Sequence, residues 1–251
     1  MGRVILAIDR GNTKDKFAIF EQDKICFSDT AECLTSEILE KIIREYHISD
    51  IIFSSVRNES ENSDFMALLK SFDVDELKNI LLFDRDFALP FVNSYIDKHS
   101  VGLDRLAAVA GVQHIYGANT LLIDAGTCIT FDYLDKDNIY QGGSISLGLQ
   151  SKYKALHNFT ANLPLINSIR TASLTSKTTE ECIVSGVING TLFELEGRID
   201  AYAKKYCGLK VVFTGGDAMF LHDNIDRKTF YEKDIVLYGL KKIFDLNAEK
   251  I

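Results

Sequence analysis

Two short segments of the chain place an aspartate and a glycine directly after an apolar run. They cover residues 7–13 and 122–127, and both are followed by a second apolar run. Asp9 and Asp124 lie about half the chain length apart, a spacing that favours a duplicated domain over a solenoid repeat. Glycine lets backbone N–H groups approach anionic oxygens, and a carboxylate can hold a hydrated cation. Two such turns together indicate a clamp for a polyphosphate.

The first turn carries the stronger signal of the two. Gly11 permits close backbone approach, while Asn12 and Thr13 supply short polar groups that suit a turn around phosphate. The cations of this segment are Arg10, Lys14 and Lys16. The alternative is a hairpin turn with solvated charges, because Asp-Xaa-Gly is a common pattern. The second copy favours the functional interpretation.

The second turn lacks a nearby cation. Asp124 stands at the end of its apolar run, and the residues directly after Thr127 are uncharged. A carboxylate without a neighbouring cation indicates a cation ligand, either directly or through water. An Asx turn, in which the side chain satisfies its own backbone, explains the residue equally well.

A third candidate segment, residues 102–105, precedes an alanine-rich helical pattern. Asp104 suits a helix N-cap, which is the structural interpretation of this residue type. Arg105 falls in the first helical turn, where the helix dipole disfavours a cation, so we expect it to face an anion. In a phosphoryl-transfer site, Asp104 could accept the proton of an attacking hydroxyl while Arg105 holds the acceptor or the transferring group.

The composition argues against several other classes of protein. The 251 residues are 46% hydrophobic and 25% charged, with a formal net charge of −8 and no basic cluster, so neither nucleic acid nor an anionic membrane is an expected partner. No apolar run approaches the roughly 20 residues that cross a bilayer. The five cysteines form no Cys-Xaa-Xaa-Cys pair, which favours reduced thiols in the cytoplasm over a zinc site.

Hydrophobic periodicity predicts strands and helices in both halves of the chain. In the first half we expect strands at 3–9, 16–20, 24–27, 51–56 and 80–83, and helices at 36–47, 65–72 and 104–116. In the second half we expect strands at 120–124, 128–134, 139–144 and 210–214, and helices at 149–159, 179–206 and 235–246. This order predicts two stacked α/β domains with mixed sheets and a cleft between them, at residues 1–117 and 118–251.

Five motifs of this chain, in this order, resemble those of type III pantothenate kinase, a family of the acetate kinase/sugar kinase/Hsp70/actin superfamily. They are Asp9-Xaa-Gly-Asn-Thr13 with Lys16, Gly102-Xaa-Asp-Arg105, Asp124-Xaa-Gly-Thr127, Gly142-Gly143-Xaa-Ile145 and Gly215-Gly216-Asp217. The resemblance covers almost the whole chain. It implies two tandem ribonuclease-H-like (actin-like ATPase) α/β domains with mixed sheets and an interdomain cleft. It also implies a cytoplasmic homodimer that phosphorylates pantothenate with ATP, the first step toward coenzyme A.

The resemblance also implies roles for individual residues. Asp104 is the implied general base, and Asp124 the implied ligand of a monovalent cation, K⁺ or NH₄⁺, which the family needs beside Mg²⁺. The residues implied to bind ATP are Asp9, Arg10, Gly11, Asn12, Thr13, Lys14, Asp15, Lys16 and Thr127. The residues implied to bind pantothenate are Tyr95, Gly102, Leu103, Asp104, Arg105 and Thr179, the last of them at the dimer interface.

Three positions depart from the family pattern. Arg10 replaces a small or aliphatic residue, Leu147 stands where proline commonly precedes Gly148, and Thr178 stands where asparagine often precedes the substrate threonine.

Two other functions are alternatives: a catalytically silent nucleotide-binding regulator, and a sister kinase of another small hydroxyl compound such as a sugar. Retention of the charged motif residues argues against the first, and the lack of a Cys/His zinc cluster argues against the zinc-containing sugar kinases.

Overall fold

The computed structural model describes residues 3–75 and 77–248, which form two compact units. The first unit takes the chain up to Gly117 together with the segment from Asp234 onward, and the second is Ala118–Lys233. The strands are β1 (Val4–Arg10), β2 (Asp15–Glu21), β3 (Lys24–Ala31), β4 (Asp50–Ser55), β5 (Asn79–Leu82), β6 (Val92–Asn93), β7 (Thr120–Ala125), β8 (Cys128–Leu134), β9 (Ile139–Leu147), β10 (Lys210–Thr214) and β11 (Phe230–Tyr231). The helices are α1 (Ser36–Glu45), α2 (Glu59–Lys70), α3 (Leu103–Ile115), α4 (Leu149–Asn158), α5 (Thr179–Lys205), α6 (Ala218–Asp223) and α7 (Ile235–Asn247).

The first unit is built on a five-stranded mixed sheet in the order β3-β2-β1-β4-β5. β2 pairs antiparallel with both β1 and β3, whereas β1, β4 and β5 run parallel. The central strand β1 is apolar at residues 5–8, and all four are buried, as expected for a strand covered on both faces. Asp9 and Arg10 end this strand, so the first turn follows directly from a buried strand.

The helix α1 covers one face of this sheet. It begins after Thr35, whose Oγ1 accepts the N–H of Ile38 over 3.4 Å. The helix buries Leu39, Ile42 and Ile43 in the core that the strands share. This spacing is the helical period that the sequence predicts for the segment.

The helix α2 begins six residues earlier than hydrophobic periodicity predicts. Asn58 and Glu61 form a capping box, in which each side chain accepts the backbone N–H of the other residue. The first turn of the helix is polar, and its apolar residues begin only at Phe65. The cap signal Asn-Xaa-Xaa-Glu therefore marks the start of this helix better than the apolar pattern does.

The C-terminal helix α7 belongs to the first unit, which differs from the division at 118–251 expected from the sequence. It packs against α3 through a close approach of the two backbones. A Cβ at Gly111 would overlap the Ile235 carbonyl oxygen, and a Cβ at Gly239 would overlap the Ala107 carbonyl oxygen. The two glycines thus let the helices approach more closely than side chains would allow. Because the partners are distant in sequence, no local pattern predicts this pairing.

Replacement of Gly239 by alanine is expected to lower the free energy of unfolding by about 1–3 kcal/mol, because the added methyl group pushes α3 and α7 apart. Gly197 in α5 is the matched control, since no described atom outside its own helix lies within 4 Å of the position that a Cβ would take there. Alanine favours a helix more than glycine does, so Gly197→Ala should raise stability by about 0.5–1 kcal/mol. Urea unfolding measures both variants, and equal effects would contradict the close approach.

The second unit is built on another mixed sheet, in which five of its strands lie in the order β11-β10-β7-β8-β9. β7, β8 and β9 form an antiparallel meander, while β10 runs parallel to β7 and β11 parallel to β10. The core between this sheet and its helices includes Phe131, Tyr153, Ile188, Leu195 and Phe213. The two mixed sheets confirm the predicted α/β class; sequence analysis misses the short elements β6, α6 and β11. None of the described helices, the 27-residue α5 included, is long and apolar enough to span a bilayer.

Candidate active site

The first turn joins β1 to β2, and the pairing of these strands sorts its side chains onto two faces. Asp9 lies opposite Lys16, and Arg10 lies opposite Asp15. Side chains alternate along a strand, so Asp9 and Lys16 share one face of the sheet while Arg10 and Asp15 share the other. The residues implied to bind ATP therefore do not all point the same way.

The Asp9 carboxylate lies at the end of the central strand, beside the end of β4. Ser54, its register partner, donates a hydrogen bond of 3.0 Å from Oγ to Asp9 Oδ1. Burial raises the pKa of Asp9 above its ordinary value, while the Ser54 hydrogen bond and the charge of Lys16 oppose the rise. The charge of Asp104 also raises this pKa, so these two carboxylates of the first unit lie within electrostatic reach of each other. A desolvated carboxylate of this kind gains from a bound cation.

The residues at the tip of the turn are open to solvent. Asn12, Thr13 and Lys14 are exposed, and Lys16 is partly exposed. The Gly11 N–H donates to the Lys14 carbonyl oxygen over 3.1 Å, and a Cβ at Gly11 would lie only 2.8 Å from that oxygen. Glycine therefore keeps the turn tight, and the exposed polar and cationic groups can receive phosphate oxygens.

The side chains of Arg10 and Asp15 lie in the interior, which is at odds with the prediction that they contact ATP. Arg10 is 5% exposed, and its guanidinium stacks over the Phe65 ring at 3.7 Å from the centroid. Asp15 is fully buried and accepts the N–H of Leu34 over 3.0 Å. The prediction treats the turn as one contiguous patch, whereas strand alternation directs every second side chain inward. These two residues support the turn from beneath.

Sequence analysis misses two residues of this site, Ser54 and Arg57. Ser54 contacts Asp9, and Arg57 donates from Nε to the Gly11 carbonyl oxygen over 3.0 Å. The available signal is the polar run that ends the buried strand β4, because parallel strands end at the same edge of a sheet. This signal becomes informative only once β4 is known to lie beside β1.

A second cluster forms around the start of α3. Gly102 is the N-cap residue, so Asp104 occupies the first helical turn rather than the cap position that its residue type favours. The Asp104 Oδ1 accepts the N–H of Arg105 over 2.8 Å, and a Cβ at Gly102 would overlap this oxygen. Because Gly102 has no side chain, the Asp104 carboxylate can occupy the space beside it. Asp104 is partly exposed and so remains accessible to a hydroxyl group, whereas Arg105 is buried.

Arg85 holds the loop that leads into α3. Its Nη1 donates to the carbonyl oxygens of Lys98 and Val101, over 2.9 and 2.8 Å. Earlier in the same loop, the Tyr95 N–H donates to Asn93 Oδ1 over 3.0 Å. The first unit therefore contains most of the residues implied for both substrates.

In the second unit, Asp124 lies beside the glycine turn that follows β10. Thr214 is its register partner, and Gly215 adopts a φ of +102°. A Cβ at Gly215 would overlap both Asp124 Oδ1 and the Ala125 carbonyl oxygen. The positive φ and the approach of the carboxylate both require glycine. The turn at residues 215–217 therefore lies against the Asp124 carboxylate.

The second turn packs against the start of α4. The Thr127 carbonyl oxygen accepts the Gly148 N–H over 3.0 Å and the Ser151 hydroxyl over 2.7 Å. A Cβ at Gly148 would overlap the Gly126 carbonyl oxygen, so this contact also requires glycine. Leu147, one of the departures from the family pattern, ends β9 directly before this contact. Thr127 itself is exposed.

Thr179 is the exposed first residue of α5. Thr178 is the N-cap, and its Oγ1 accepts the N–H of Glu181 over 3.3 Å. Asparagine and threonine are both good N-cap residues, so this departure from the family pattern preserves the helix start.

Within the described ranges, no cluster of three or more His, Cys, Asp or Glu side chains could hold a metal ion by itself. Mg²⁺ commonly takes phosphate oxygens and water among its ligands.

Comparison with solved structures identifies the fold. The chain matches a conserved putative Baf family transcriptional activator from Campylobacter jejuni with a TM-score of 0.60 and 23% identity, over 97% of this chain and 99% of that one. It matches a putative 2-dehydro-3-deoxygalactonokinase from Sinorhizobium meliloti with a TM-score of 0.54 and 13% identity, over 98% and 99% of the two chains. At these identities the likeness shows the fold alone, which this chain shares with both of these proteins.

Comparison with known sequences identifies the family. The family model described as type III pantothenate kinase matches residues 5–201. A type III pantothenate kinase from Christiangramia forsetii is 38% identical over 96% of this chain and 98% of its own length. Relatives of the same name from Flavobacterium johnsoniae and Bacteroides fragilis are 34% and 35% identical, each over 98% of this chain and 99% of its own length. This chain belongs to the type III pantothenate kinase family.

Proposed function

We propose that this protein transfers the γ-phosphoryl group of ATP to pantothenate and so catalyses the first step of coenzyme A biosynthesis. The observation that carries the proposal is the match to type III pantothenate kinases over nearly the whole length of both chains. The site geometry supports it, because the first unit combines an exposed phosphate-binding turn with an accessible carboxylate. The product is 4′-phosphopantothenate.

ATP binds at the first turn. The exposed side chains of Asn12, Thr13 and Lys14 donate to phosphate oxygens, and Lys16 adds a charge on the same face as Asp9. Asp9 fits the role of a Mg²⁺ ligand, because burial raises its pKa and a divalent cation would compensate its charge. A Mg²⁺ ion held there would neutralise charge on the phosphates.

Asp104 acts as the general base for the acceptor. Its carboxylate takes the proton of the primary hydroxyl of pantothenate as the hydroxyl oxygen bonds to the γ-phosphorus and the bond from that phosphorus to ADP breaks. The Asp104 side chain is accessible and is held by the Arg105 N–H, which suits this role. Tyr95, Gly102 and Leu103 bind pantothenate beside it, together with Arg105.

We assign three of the implied roles to residues of the second unit. Asp124 would hold a monovalent cation, K⁺ or NH₄⁺, through its carboxylate, which lies against the glycine turn at residues 215–217. Thr127 contacts ATP and Thr179 contacts pantothenate at the interface of a homodimer; both residues are exposed and so open to a ligand or a second copy. We assign the enzyme to the cytoplasm, in keeping with five exposed cysteines that form no disulfide.

A turnover assay with ATP, MgCl₂ and a panel of pantothenate and several sugars tests this function. We expect phosphorylation of pantothenate and of no sugar, with activity in KCl or NH₄Cl and little in NaCl. Phosphorylation of a sugar alone would identify a sister kinase. Binding of ATP without any product would identify a silent regulator, and either result would overturn the proposal.

A further inference from the structure

Two arginines converge on one buried carboxylate beneath the first turn. Asp15 Oδ1 accepts a hydrogen bond of 2.6 Å from Arg57 Nη2, and Arg10 Nε lies 4.0 Å from the same oxygen. The other carboxylate oxygen accepts the Leu34 N–H. A fully buried carboxylate is costly unless it is paired and hydrogen-bonded, and here both of its oxygens have partners.

Arg57 connects this buried carboxylate to the backbone of the turn. Its Nε donates to the Gly11 carbonyl oxygen over 3.0 Å while Nη2 holds Asp15. The guanidinium fork is planar and rigid, so the two bonds fix the distance between these acceptors. The backbone of Arg57 is itself anchored, because its N–H donates to Ser55 Oγ and its carbonyl oxygen accepts from Asn62 Nδ2.

Arg10 supplies the second positive charge near the Asp15 carboxylate. It is held by the Phe65 ring and by the Glu61 carbonyl oxygen, 3.4 Å from Nη1. Two guanidinium groups thus face one carboxylate beneath a turn whose tip carries Lys14. In a chain with a net charge of −8, this concentrates positive charge where an anion would lie.

We propose that Arg57 is a positioning residue for phosphoryl transfer: by tying the Gly11 carbonyl to the Asp15 carboxylate, it holds the first turn in its phosphate-binding shape. The proposal rests on the proposed function, since it assigns ATP to this turn. It also accounts for Arg10, the departure from the family pattern, as a second support for Asp15. Among the described residues, Asp15 without Arg57 keeps only the Leu34 N–H and the more distant Arg10, so loss of Arg57 both loosens the turn and destabilises the buried carboxylate.

The test compares Arg57→Lys and Arg57→Gln with Arg44→Gln, a control on the exposed face of α1 whose Arg pairs only with Glu40 in the structure described. Lysine keeps the charge but has no fork for two acceptors. We expect both Arg57 variants to raise the KM for ATP by about ten- to a hundredfold, since two hydrogen bonds of a charged group are lost. The KM for pantothenate should stay close to that of the control, whereas the thermal midpoint should fall below it, most in Arg57→Gln, because the buried Asp15 loses its hydrogen-bonded cation.

Hydrogen exchange measures the same effect without catalysis. The Gly11 N–H, bonded to the Lys14 carbonyl oxygen, should exchange faster in both Arg57 variants than in wild type or Arg44→Gln. Unchanged exchange at Gly11 together with an unchanged KM for ATP would overturn the proposal, as would equal increases of both KM values. If the wild type fails to phosphorylate pantothenate, the proposed function fails, while Gly11 exchange still reports whether Arg57 holds the turn. Should Arg57→Gln fail to fold, Arg57→Lys provides both readouts.

Discussion

Replacement of Asp104 by asparagine is expected to lower kcat for pantothenate phosphorylation by about 10²–10⁴-fold, the contribution usual for a positioned general base. Asparagine has nearly the same shape and can still accept the Arg105 N–H, so the start of α3 should be preserved. It has no basic carboxylate, so the hydroxyl of pantothenate must lose its proton without help. The KM for ATP should change little, because the nucleotide is assigned to the first turn.

The matched control for this change is Asp73→Asn. Asp73 is exposed in the segment after α2 and lies in the same unit, so it reports the effect of removing one negative charge. Steady-state kinetics of both variants at saturating ATP measure the difference. An Asp104→Asn enzyme with the turnover of the control would show that another group accepts the proton.

Replacement of Asp9 by asparagine is expected to lower kcat/KM for ATP by about a hundredfold or more. This is the usual loss of rate when one electrostatic contact to a developing charge is removed. The variant loses the carboxylate proposed to hold Mg²⁺ but keeps an oxygen that can accept from Ser54. Ser54→Ala is the companion variant. It removes the hydrogen bond and leaves the carboxylate, so its effect on ATP should be much smaller.

The same Asp9 change is expected to raise the thermal stability of the free protein near neutral pH. Burial raises the pKa of Asp9 in the folded state above its unfolded value, so the ionised form destabilises the fold at any pH above the raised pKa. As the pH falls below the raised pKa, the folded protein takes up a proton, so the penalty shrinks, and it is gone once the pH lies below the pKa of Asp9 in the unfolded chain. Thermal unfolding of wild type and variant at neutral and at acid pH measures this. A variant that is less stable at neutral pH would contradict the assigned cause of the shift.

Local patterns in the sequence account for most of the fold. The apolar run before Asp9 predicts a strand buried on both faces, and the helical spacing of Leu39, Ile42 and Ile43 predicts α1. The two turns that contain Asp-Xaa-Gly lie where the sequence predicts them. The first follows β1, and the second joins β7 to β8. These features depend on neighbours in the chain, which is why a sequence reveals them.

Contacts between residues that are distant in the chain are not predicted by local sequence patterns. The packing of α7 on α3 rests on Gly239 and Gly111, which meet only in the folded chain. The contact of Arg57 with the first turn requires β4 to lie beside β1, which no local pattern states. The separation of Arg10 from Lys16 onto opposite faces follows from the register of β1 and β2, and spacing along the chain alone does not reveal that register.

The measurement that tests the central claim most directly is the mass of the product formed from pantothenate. The protein is incubated with MgCl₂, KCl and ATP that carries labelled oxygens on the γ-phosphorus. We predict 4′-phosphopantothenate that retains three of these labelled oxygens, formed in KCl, and formed about a hundredfold or more slowly by the Asp104→Asn variant. Unmodified pantothenate after complete incubation with folded, ATP-binding protein would contradict the account.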